Sequence, residues 1–122
     1  MNFNETDGFS KDLKRLSKKY KSLPDDLFEF KKVISKLPLG SGKHFAILRD
    51  YEQLKILKAR LFCRYLKGAS LRIIYAYNGQ DCPIYRNRYR ESITTVDFIE
   101  LYFKGNKENE DSERIKEYLK NC

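Results

Sequence analysis

Histidine is almost missing from this chain: His44 is the only one among 122 residues. One imidazole excludes a ribonuclease built on two histidines, where one takes a proton and the other returns it. It also leaves a zinc site short of ligands, because Cys63, Cys82 and Cys122 contain no Cys-x-x-Cys pair. No metal and no other cofactor is expected. The cysteines lack a histidine–carboxylate constellation, so nucleophilic thiol chemistry is not expected either. They are odd in number and widely spaced, and Met1-Asn2-Phe3-Asn4-Glu5 has neither the basic nor the apolar part of a leader. A reducing cytoplasm is the expected compartment. No apolar run approaches the roughly 20 residues that cross a bilayer, so no membrane partner is expected. Gly40-Ser41-Gly42-Lys43 lacks both the spacing of a phosphate-binding loop and the strand that precedes one.

What the chain has in quantity is positive charge and aromatic rings. The net charge is +8, with nine Tyr and eight Phe. The charge is uneven. Residues 1–68 carry 16 Lys/Arg against 8 Asp/Glu, whereas residues 105–122 carry 4 against 5. Such a balance suits a polyanionic partner, either nucleic acid or an acidic protein. At this length one domain over residues 1–122 with one two-layer core is the default.

Phe9, Leu13, Leu16, Tyr20 and Leu23 recur at helical spacing, with lysines on the remaining faces. Ser22, Pro24 and the Asp25-Asp26 pair start a second helix, whose stripe is Leu27, Phe30, Ile34 and Leu37. The two form a helical hairpin that needs a third surface. Residues 43–54 carry no clear period, with Phe45, Leu48 and Leu54 tucked under a sheet. Strands are expected at about 55–64, 70–78 and 93–104, the last holding Phe98-Ile99-Glu100-Leu101-Tyr102-Phe103-Lys104. Asp111-Ser112 caps a short terminal helix with Ile115 and Leu119 as its apolar pair. The fold class is α+β: a helical hairpin on one face of a small antiparallel sheet, with a short C-terminal helix.

Cations interrupt the central strands. In Leu57-Lys58-Ala59-Arg60-Leu61 the alternation sends Lys58 and Arg60 to one face and the apolar residues to the core. Arg72, in Leu71-Arg72-Ile73-Ile74-Tyr75, joins that row if the two strands pair. Three fixed cations on a rigid sheet suit a phosphodiester. A lysine beside two arginines is a candidate base, since like charges lower its pKa. Arginines stay charged and hold phosphate oxygens bidentately.

Lys58-x-Arg60, Gly68 and Leu71-Arg72-Ile73-Ile74-Tyr75, together with two leading helices and a last strand at 98–104, resemble the RelE/ParE superfamily of toxins from toxin–antitoxin pairs. The resemblance covers roughly residues 9 to 119. It implies a toxin that cuts mRNA on the ribosome without a metal, neutralised by an acidic antitoxin. It also implies Lys58 acting on the 2′-hydroxyl and Arg60 and Arg72 stabilising the phosphate. Lys104 or Lys107 matches the basic residue that follows the family's last strand. The family's terminal acid, often tyrosine, has no clear counterpart: Tyr118 sits in helix packing and Tyr102 in a strand. Glu108, Glu110, Asp111 and Glu113 place negative charge where a substrate phosphate approaches. Poisoning of gyrase through protein contacts, and RNA or ribosome binding without turnover, are the alternatives the resemblance leaves open.

Tyr85-Arg86-Asn87-Arg88-Tyr89-Arg90 interleaves rings with guanidinium groups. Tyr85 and Tyr89 can stack on bases while Arg86, Arg88 and Arg90 contact phosphates, as single-stranded RNA readers do. Two alternating faces of an extended hairpin give the same pattern. His44, between Lys43 and Phe45, is read as incidental.

Overall fold

A computed structural model describes residues 1–40, 42–78 and 94–120. The Tyr85, Arg86, Arg88, Tyr89 and Arg90 cluster, Cys82 and Cys122 lie outside the described residues. The chain is α+β. It runs β1 (Asn2–Glu5), α1 (Asp7–Lys19), α2 (Leu23–Lys36), β2 (Phe45–Asp50), β3 (Leu54–Cys63), β4 (Gly68–Asn78), β5 (Thr95–Phe103) and α3 (Ser112–Lys120). No helix among the described residues is long and apolar enough to cross a membrane.

The sheet differs from the expected antiparallel one. Its five strands lie in the order β1-β5-β4-β3-β2, and β1 pairs with β5 in parallel, so the sheet is mixed. β2, β3, β4 and β5 are successive antiparallel neighbours. β1 reaches only from Asn2 opposite Thr95 to Glu5 opposite Phe98. Past that point side chains complete the edge: Thr6 Oγ1 donates to the Ile99 carbonyl at 3.2 Å, and Asp12 accepts from the Leu101 N–H at 3.1 Å. A strand edge buried without such partners would leave backbone groups unsatisfied.

The hairpin of α1 and α2 covers one face. Phe9, Leu16, Leu27, Phe30 and Ile34 pack there on Leu57, Ala59, Leu61, Ile73, Tyr75 and Phe98. Thr6 caps α1 by accepting from the Phe9 N–H at 3.2 Å. Asp26, buried near the start of α2, accepts from the Arg64 backbone N–H and Nε, both at 3.2 Å, and from Ser22 Oγ at 2.7 Å. Those bonds tie α2 to the β3–β4 turn. Burial raises the pKa of Tyr75, whose hydroxyl donates to the Pro38 carbonyl at 2.7 Å and fixes the end of the hairpin.

The terminal helix lies on the other side. Ile115, Tyr118 and Leu119 of α3 pack with Ile56, Ile74, Ala76, Ile99 and Tyr102 in a second, smaller cluster. The sheet is therefore covered fully on one face and only partly on the other. That second face carries the cations.

Candidate functional site: a cationic sheet face under an acidic strap

Register builds the site. Arg60 of β3 stands opposite Arg72 of β4, and Arg72 stands opposite Tyr102 of β5. One step along, Lys58 faces Ile74, and Ile74 faces Glu100. Cross-strand partners share a face, so these six residues form two adjacent rows on the side away from α1 and α2. The expected alternation holds: Leu57, Ala59 and Leu61 face the main core while Lys58 and Arg60 point together to the opposite side.

A bulge in β5 puts Glu100 there. Glu100 pairs with Ile74 and Phe98 with Tyr75, so Ile99 is an extra residue on β5. Phe98 and Leu101 keep facing the main core while Ile99 joins the second cluster. Counting back from Leu101, Glu100 falls on the cationic face beside Ile99. Re-aiming a side chain in this way is what a bulge does.

The cations differ in setting. Arg60 is exposed and has no ion-pair partner among the described residues. Arg72 is only 9% exposed, and its Nη1 donates to the Leu71 carbonyl at 3.2 Å. Burial, then the adjacent Arg60 charge, lowers its pKa, with Tyr102 opposing. It stays charged at any ordinary pH. The register sets these two like-charged residues opposite each other, and the Arg60 charge opposes ionisation of Arg72.

Lys58 departs from the expectation of a lowered pKa. Burial does pull it down, but the hydrogen bond to Glu110, the nearby Tyr102 hydroxyl and the Glu110 charge outweigh burial and raise it. Lys58 Nζ donates to Glu110 Oε1 at 2.9 Å, with both side chains about four-fifths covered. Glu110 shifts in the matching direction. Burial favours its neutral form, but Lys58, a backbone N–H and the Arg49 charge hold its carboxyl below the usual range. Each partner keeps the other ionised. In this arrangement Lys58 is a held ammonium rather than a base.

Glu110 belongs to a strap, residues 104–111, that leaves β5 and doubles back over the cationic face. Its first turn bonds the Asn106 and Lys107 N–H groups to the Phe103 carbonyl, at 3.0 and 3.2 Å. Its far end hangs on Glu100, which is 2% exposed and accepts from the Asp111 N–H at 2.7 Å and from Lys107 Nζ. Lys107 also lies 5.5 Å from the centre of the Tyr102 ring. Of the two candidates that follow the last strand, Lys107 reaches the site and Lys104 is exposed, with its backbone N–H on the Ser70 carbonyl.

Tyr102 sits at the centre of this arrangement and is 4% exposed. Its hydroxyl is close enough to influence both Lys58 and Arg72. Its oxygen lies near enough to Lys58 to act as a hydrogen-bond acceptor that helps raise the lysine's pKa, while its O–H meets no acceptor among the described residues. Tyr118, the other candidate acid, is structural: its hydroxyl donates to Asp97 Oδ2 at 2.6 Å and holds α3 on the sheet.

Sequence reading grouped Lys58, Arg60 and Arg72 but missed Glu100 and the Glu110–Lys58 pair. A carboxylate amid Phe98-Ile99 and Leu101-Tyr102 was the available signal for Glu100. His44 is exposed and lines a cavity of about 600 Å³ with Phe30, Val33, Phe45 and Phe62, which touches the cationic row only at Arg60. No group of His, Cys, Asp or Glu among the described residues forms a metal site. Comparison with family models, curated proteins and solved structures finds no match for this chain.

Proposed function

We propose that this protein is a RelE-like toxin of a toxin–antitoxin pair that engages the RNA backbone on its cationic sheet face and acts on mRNA at the ribosome. The observation that carries the reading is the Arg60–Arg72–Tyr102 row crossing three strands, with Lys58 one step away. The helical hairpin packed on the opposite face and the strand that ends at Phe103 support it. Fixed cations on strands are preorganised for a phosphorane, whose extra negative charge they stabilise without a metal. Arg60 and Arg72 are the phosphate ligands in this reading. Lys58 serves as a third cation, and Lys107 stands at the margin. An acidic antitoxin meets the same +8 surface by charge complementarity.

The Lys58–Glu110 pair favours a second reading, RNA binding without turnover, because a paired ammonium does not take a proton from a 2′-hydroxyl. Induced expression separates the two. A translation-targeting nuclease arrests protein synthesis and leaves cut mRNA, and Arg60→Ala/Arg72→Ala abolishes both effects. A binding module retains RNA without cutting it. Arrest that persists in the double mutant, or DNA damage in place of translational arrest, overturns the proposal.

A further inference from the structure

An unpaired buried hydroxyl costs about 1–3 kcal/mol, and native proteins tolerate few. The Tyr102 O–H is a donor with no acceptor among the described residues, and it lies where an anion would stand: beneath the strap, beside Lys58 and at the end of the arginine row. The anionic acceptor that holds the Lys58 ammonium among the described residues is the carboxylate of Glu110, 2.9 Å from Lys58 Nζ. A carboxylate and a phosphate present the same acceptor oxygens to an ammonium.

The strap does not need Glu110 to stay in place. Its turn is closed by the Phe103 carbonyl, and its end is fastened by the Asp111 N–H on Glu100. The Glu110 side chain can therefore swing to solvent, regaining its hydration, while the backbone stays anchored. Lys58 then exchanges one anionic oxygen for another, and the Tyr102 O–H gains the acceptor it lacks.

The geometry points to a phosphate-binding subsite in which Glu110 is an internal placeholder, Lys58 is the cation and the Tyr102 hydroxyl is the buried donor. The subsite rests on the proposed function only for the carrier of the phosphate, a single-stranded RNA.

Inorganic phosphate tests the subsite without RNA. Its affinity is measured by ³¹P NMR titration at constant ionic strength for wild type, Glu110→Gln, and Glu110→Gln/Tyr102→Phe. Far-UV circular dichroism and thermal unfolding confirm that each is folded. Glu110→Gln should bind phosphate at least about fivefold more tightly than wild type, because the competing carboxylate is gone. Adding Tyr102→Phe, which keeps the ring and removes only the donor, should reverse about three- to tenfold of affinity, the worth of one hydrogen bond. Equal phosphate affinity in wild type and Glu110→Gln would overturn the placeholder. Unchanged affinity on adding Tyr102→Phe would overturn the buried donor. A fluorescent single-stranded RNA is titrated in parallel. Phosphate binding with the expected ranking but no RNA binding supports the subsite while removing the RNA reading above it.

Discussion

At the residue scale, two carboxylates do opposite work. Asp12 is buried at 4% exposure and is bonded bidentately by Arg114, at 2.6 and 3.2 Å, while it also accepts the Leu101 N–H. It joins α1, the free edge of β5 and α3 at one point. Removing one partner of a buried pair strands the other, so Asp12→Ala should cost about 3 kcal/mol in urea unfolding. A loss below 1 kcal/mol would show that Arg114 and Leu101 find water instead. Glu110, by contrast, holds a ligand-like position and contributes less. Its folded pKa lies below the ordinary carboxylate value of about 4.3, so its stabilisation is present above that pH and fades as pH falls through the folded value. The raised Lys58 pKa places the other limit above the ordinary lysine range: stabilisation is complete below about 10.4 and is lost as pH rises through the folded value. The pair therefore stays closed across neutral pH. The stability difference between wild type and Glu110→Gln should be about 1 kcal/mol at pH 6 and should shrink as pH falls from there below the ordinary carboxylate value. A difference that stays constant over that range would mean that the charge on Glu110 contributes nothing.

At the element scale, legibility followed period and length. The helices and the three long strands announced themselves by apolar spacing. The short edge strands did not. β1 is Asn-Phe-Asn-Glu, with Phe3 as its only apolar anchor, stacked on Phe98 at a centroid distance of 5.9 Å. β2 hides because its register shifts between Ile47 and Arg49, which breaks alternation at Leu48. The side on which α3 packs was equally unreadable, since an Ile115–Leu119 stripe says that a helix is amphipathic and not which face it meets. The cationic row was visible through alternation alone, but the opposition of Arg60 and Arg72 needed the register. The Glu110–Lys58 pair spans 52 residues and needed the fold. The turn between β3 and β4 supplies a further test. Lys67 ends it at φ 55°, a left-handed conformation that favours glycine. Lys67→Gly should therefore stabilise the protein by about 0.5–1 kcal/mol, after its looser unfolded chain is set against the relieved strain. A lower thermal midpoint in that variant would show that the Lys67 side chain contributes more than its backbone costs.

At the scale of the whole molecule, the question is whether +8 acts as a diffuse cloud or through one face. Salt dependence distinguishes the two, because each phosphate neutralised on a single strand adds about 0.7 to the slope of log affinity against log salt. Lys14 and Lys18 are exposed on α1, which packs on the sheet face opposite the cationic row, and Arg60 is exposed on the row itself. A diffuse cloud treats the three alike. A site does not. With a short single-stranded RNA, Arg60→Ala should lower the slope by about 0.7, whereas Lys14→Ala/Lys18→Ala removes twice the charge and should leave it near the wild-type value. Glu110→Gln should act in the reverse sense, freeing Lys58 for one more phosphate and steepening the slope by up to the same amount. Equal losses from the α1 and β3 variants would mean that net charge alone recruits the RNA, and the sheet face would lose its claim to be the site.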